Sequence, residues 1–127
     1  MRYQFLLWCH RQSFCLNSRY IDVNQFKQLC ELYMNNDIEA MYISFVKSKD
    51  YENGIIGAHA CAIRSIDFSH NDNNLDWIEF CNPWDDNDCL RLSVKDFWPS
   101  SYRNIIVLGK NLSDFNIDRE NGTLSLK

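Results

Sequence analysis

The sequence predicts an α+β fold, a mostly antiparallel twisted sheet with one main helix. Three observations predict it. Residues from Asp22 to Tyr33 repeat apolar side chains at helical spacing. Residues from Ala40 to Val46 alternate apolar and polar side chains, as a half-buried strand does. The polar turn Ser69 to Asn74 is short enough to join two strands as a hairpin, which makes their pairing antiparallel.

At 127 residues, with 46% apolar and 14% aromatic residues, the chain can bury a real core in one domain. The net charge of −4 is mild, and no Lys/Arg cluster exists to track a nucleic-acid backbone. No stretch reaches membrane-spanning length. Six cysteines stand at positions 9, 15, 30, 61, 81 and 89. The apolar run Phe5 to Trp8 is too short for a secretory signal, so the thiols are read as reduced and the setting as cytoplasmic. In such a setting Cys61 and Cys81, inside apparent strands, act as small hydrophobes. The sequons at Asn111 and Asn121 then carry no meaning.

Taken in order, residues 1–21 are ambiguous, although Tyr3 to Cys9 can form a strand. Asp22 can N-cap a helix, with Gln25 at the capping-box position. Val23, Phe26, Leu29, Cys30 and Tyr33 give that helix one apolar face, and Asn35-Asn36-Asp37 stops it. Ala40 to Val46 is the first clear strand. Lys47 to Gly54 reads as a loop. Ala58 to Phe68 and Leu75 to Cys81 form the hairpin, ended by Asn82-Pro83 because proline cannot donate to the ladder. Asp85 to Asp88 reads as a loop. Ser93 caps a short helical turn with Asp96 three residues on, and Pro99 closes it. Asn104 to Leu108 is a buried strand. Beyond it the chain turns polar, so 22–110 is read as the folded unit and 111–127 as a tail that frays or leads elsewhere.

The chemistry-bearing residues are His59, at the opening of one strand, and Asn82, at the close of the next. One imidazole nitrogen of His59 would face a thiolate. The other would donate to the Asn82 carboxamide, which fixes the tautomer. Trp84 would lie over that hydrogen bond and keep water away. Gly57 allows close backbone approach. Base and orienter of this kind activate a cysteine nucleophile.

Residues 26–108 resemble the C-terminal half of the calpain protease core, a papain-like cysteine protease. The resemblance rests on Phe26-Lys27 with the helix that follows, a strand, and four further segments. They are Asn53-Gly54-Ile55-Ile56-Gly57-Ala58-His59-Ala60; Trp77-Ile78-Glu79-Phe80-Cys81-Asn82-Pro83-Trp84; Leu92-Ser93-Val94-Lys95-Asp96-Phe97; and Ile105-Ile106-Val107-Leu108. It implies the barrel-like half of that fold, with His59 and Asn82 catalytic and Trp84 and Gly57 supporting. It implies a calpain-type endopeptidase with calcium as a cofactor, its ligands unknown. Three departures stand out. Asp85 replaces a glycine, Ala58 replaces the glycine before the histidine, and the Asp85 to Cys89 segment is short. Asp85, Asp86 and Asp88 can offer oxygens to a hard cation, or form an ordinary acidic loop.

Papain-like enzymes place the nucleophile about 130–150 residues before the histidine, and the segment ahead of His59 falls far short. The expectation is therefore half a catalytic core, inactive alone, whose partner is a missing helical lobe carrying the cysteine. Two alternatives stand beside it. One is a non-catalytic calpain-like module that binds a partner protein. The other is a compact thiol hydrolase or deamidase using Cys15 or Cys9. His10 reads as a surface residue and His70 as a turn residue. The spacing of Cys9, His10 and Cys15 is not that of a zinc site.

Overall fold

The computed structural model describes residues 13–45, 60–82, 85–98 and 103–127. The chain divides into two units, residues 1–41 with 104–127, and residues 42–103. The class is α+β with one main helix and mostly antiparallel strand pairing. Among the described residues the strands do not close into a barrel.

In the first unit, β1 (Ser13–Leu16) pairs antiparallel with β6 (Arg103–Leu108), Leu16 opposite Ile105. The helix α1 (Val23–Met34) starts where the sequence places it. Asp22 Oδ1 accepts from the Gln25 amide at 2.9 Å, and Gln25 Oε1 accepts from the Asp22 amide at 2.9 Å. This reciprocal box satisfies two of the amides that a helix start leaves unpaired. The stop is equally local. Asn36 adopts φ 66°, and the Asp37 amide donates to the Leu32 carbonyl at 2.9 Å, a Schellman-type ending. Phe26, Leu29 and Cys30 are fully buried, while Val23 and Tyr33 are only partly covered.

Residues 111–127, expected as a tail, instead form a 3₁₀ turn (Leu112–Asp114) and a hairpin of β7 (Phe115–Asp118) and β8 (Thr123–Leu126). Polarity misled the reading because one buried residue per strand, Phe115 and Leu124, is enough to dock a short hairpin. Helix α1 meets the hairpin through side-chain amides. Gln25 Nε2 donates to the Thr123 carbonyl at 3.0 Å. Gln28 donates to the Gly122 carbonyl at 2.7 Å and accepts from the Leu124 amide at 2.8 Å. The Gln28 carboxamide thus behaves as one more peptide group on the strand edge. Phe14 meets Phe115 edge to face, with ring centroids 5.3 Å apart. Gly109, at φ 84°, packs so closely on Glu39 that a β-carbon would lie 2.6 Å from the Glu39 Cβ.

In the second unit, most of β2 (Ala40–Phe45), then β3 (Ala60–Asp67), β4 (Trp77–Asn82) and β5 (Asp85–Ser93) follow one another as an antiparallel meander. Cys61, Ile63, Ile78 and Phe80 are buried on one face. Phe97, on the single-turn helix α2 (Val94–Phe97), stacks on Phe80 at 5.0 Å. Ser93 caps α2 as predicted, accepting from the Asp96 amide at 3.1 Å.

Two expectations need correction here. Asp85 to Asp88, read as a loop, belongs to β5: Asn82 pairs with Asp85 and Cys81 with Cys89, and the three residues between Asp85 and Cys89 bulge out. The thiols are not all reduced, because Cys81 and Cys89 are joined in a disulfide. The loop reading hid the second point, since it left Cys89 without a strand to carry it beside Cys81.

Candidate functional site

Asn82 closes β4, and β3 opens at Ala60. Antiparallel pairing sets Ala62 opposite Cys81, which brings the opening of β3 and the close of β4 to one end of the meander. Asn82 has the register parity of Ile78 and Phe80, the two fully buried residues of its strand. Asn82 is part-exposed. His59, Gly57 and Trp84 lie outside the described residues, as do the side chains of Asp85, Asp86 and Asp88.

The opposite face of the meander carries a cluster that the sequence reading did not assemble. Its centre is the Cys81–Cys89 disulfide, across directly opposed positions of β4 and β5. A bulge between Ile63 and Ser65 makes Arg64 an extra residue in β3. Bulges re-aim side chains, and the Arg64 guanidinium reaches over β4. Its Nη1 donates to Cys89 Sγ at 3.6 Å, and its Nε lies 4.0 Å from Glu79 Oε1. Glu79 also accepts from the Ser65 hydroxyl at 3.1 Å and lies 3.8 Å from Arg91 Nη2. The Arg91 guanidinium sits 3.7 Å over the Trp77 ring. Among the described residues, Ala62, Ile63, Arg64 and Cys81 line an open cavity of about 330 Å³.

His70 does lie in the β3–β4 turn, but it has a buried partner. Asp76 is fully buried and accepts from the His70 amide at 3.0 Å and the Asp72 amide at 3.2 Å, while His70 Nδ1 lies 3.2 Å from Asp76 Oδ1. The carboxylate therefore organises the turn, and the Asp76 carbonyl accepts from the Val94 amide at the start of α2.

Cys15, a candidate nucleophile, sits on β1, where partial burial raises its thiol above the ordinary range. A catalytic cysteine needs the opposite shift, toward the thiolate. Cys9 lies outside the described residues. Cys30 is a core residue on α1, its thiol pushed well up by burial and then by the charge of Glu31. Among the described residues no three His, Cys, Asp or Glu side chains gather as metal ligands, and no helix is long and apolar enough to cross a membrane.

Compared with known proteins, the chain matches no family model, no curated protein and no solved structure.

Proposed function

We propose that this chain is the histidine and asparagine half of a calpain-type, papain-like cysteine endopeptidase core. The observation that carries the reading is the antiparallel β3–β4 pair, with Asn82 at the close of β4 and the opening of β3 at the same end. His59 precedes that opening by one residue and shares sequence parity with Cys61 and Ile63, as Asn82 does with Phe80. A base and its orienter need to share one face.

In the reaction, a thiolate supplied by the helical lobe attacks a peptide carbonyl. His59 holds the thiol proton and delivers it to the leaving amine. Asn82 keeps the imidazole in the tautomer that points at the sulfur. Trp84 and Gly57 shield and give room. A protein substrate and a cytoplasmic setting belong to the same proposal. The Cys81–Cys89 disulfide bears on the setting, because cytosolic disulfides are usually redox-active ones. The calcium implied by the resemblance would draw on oxygens such as those of Asp85, Asp86 and Asp88, whose side chains lie outside the described residues.

The test is the His59 imidazole itself, followed by nitrogen-detected titration in the wild type and in Asn82→Ala. Loss of the orienter should redistribute the His59 tautomers and shift its titration while His70 stays unchanged. Identical His59 behaviour in both proteins would remove the basis of the proposal.

A further inference from the structure

We propose that the Cys81–Cys89 disulfide is a thiol-exchange site, at which a small anionic thiol bonds to Cys81 while Cys89 departs as a thiolate held by Arg64. The inference is independent of the protease reading. It rests on three observations: the disulfide spans adjacent strands on the face that carries the charged cluster, an arginine donates to one of its sulfurs, and a cavity opens beside the other.

The two sulfurs are not equivalent. Cys81 is 7% exposed, but it lines the 330 Å³ cavity together with Ala62, Ile63 and Arg64. That cavity gives a small thiol a route to its sulfur. Cys89 Sγ already accepts from the Arg64 guanidinium at 3.6 Å. Exchange is faster when the departing sulfur is the better-stabilised thiolate, and a neighbouring arginine stabilises it. Access and leaving-group stabilisation therefore select the same direction. The reagent's charge follows from the cavity beside Cys81, where Arg64 is the one charged lining residue among those described. A thiol carrying a carboxylate can pair with that guanidinium, so an anionic thiol is favoured over a cationic one.

The step balances. The attacking thiolate bonds to Cys81 Sγ, the Sγ–Sγ bond breaks, and its electron pair leaves on Cys89 Sγ. A second thiolate then attacks the small thiol's own sulfur, releasing Cys81 as a thiolate and a small disulfide. Two small thiols are oxidised, the protein disulfide is reduced by two electrons, and the cysteine thiolates take up protons from water. In the reverse direction a small disulfide re-forms the bridge. Arg64 is a positioning and charge-stabilising residue here, and nothing bonds to it.

The experiment uses the full chain with Cys9 and Cys15 replaced by serine, so that neither thiol competes. The probe is reduced glutathione, an anionic thiol, with cysteamine as its cationic counterpart. Acid-quenched samples are mapped by mass spectrometry. The expected intermediate is glutathione on Cys81, formed at a rate proportional to glutathione concentration. Arg64→Ala should slow its formation about three- to tenfold, Arg64→Lys should recover part of the loss, and cysteamine should be less affected. Added salt should slow the wild type toward the Arg64→Ala rate, since the guanidinium is exposed. Should Arg64→Ala fail to fold, Arg64→Lys and the salt dependence decide the matter. Glutathione found on Cys89 would overturn the proposal. So would a reduction rate that ignores both thiol concentration and residue 64, because reduction would then follow unfolding.

Discussion

The two units hold their β-structure by different means. In the first, the β7–β8 hairpin is joined to α1 by carboxamides: Gln25 and Gln28 supply the donors and the acceptor that a neighbouring strand would have supplied. In the second, β3, β4 and β5 hold one another by cross-strand pairs, with Phe80 and Phe97 packed on one face and the Cys81–Cys89 bridge on the other. The contrast shows how burial sets the cost of losing an interaction. Phe80 is fully buried among side chains that cannot close over a gap, whereas Gln28 is only half-buried, so water can partly re-solvate the edge it joins.

The comparison can be broken most forcefully at Phe80. Phe80→Ala should cost about 3–5 kcal/mol, because it empties the core of the second unit and removes the Phe97 contact. Urea denaturation reads the loss, and a cost below about 1 kcal/mol would mean that the core is not organised around this ring. Next in size is Asp76. Asp76→Ala leaves the His70 and Asp72 amides without their acceptor and should cost about 2–4 kcal/mol, with Asp76→Asn recovering part of it. Equal losses in both variants would show that the oxygens do not organise the turn.

The first unit should respond less. Gln28→Ala removes a donor and an acceptor from the hairpin edge, at about 1–2 kcal/mol. Amide exchange should locate the effect: the Leu124 amide should lose protection while Phe80 and Ile78 keep theirs. Uniform loosening of both units would erase the distinction.

The smallest effect sharpens the comparison through a feature that the units share. Asp67 in the second unit accepts from the Ser69 hydroxyl and amide. Asp118 in the first accepts from the Asn121 side chain and amide. These hydrogen bonds hold both carboxyls below their usual range. A carboxyl whose folded pKa lies below its unfolded one stabilises the fold fully above the unfolded value. That contribution fades as pH falls through the usual carboxylate range toward the folded value. Asp118 is exposed and Asp67 half-exposed, so each should add only a shallow slope below about pH 4. Asp67→Asn and Asp118→Asn should each flatten the acid limb of a stability–pH profile slightly, and a steeper limb in either would reverse the assigned sign.

The amino-acid sequence by itself determined the parts of this protein whose causes lie within a few residues. The Asp22–Gln25 box, the Asn35-Asn36-Asp37 stop, the Ser93 cap and the alternation of β2 are each decided by neighbours along the chain. Only the tertiary structure decided the rest. β1 exists because β6 lies beside it, and its four residues carry no period of their own. β7 and β8 exist because Gln25 and Gln28 reach them from far along the chain. The pairing of Cys81 with Cys89, and the placement of Arg64 on that bridge, follow from a register and a bulge. Register is set by which faces are buried together, and a one-residue slip would turn every side chain to the other face.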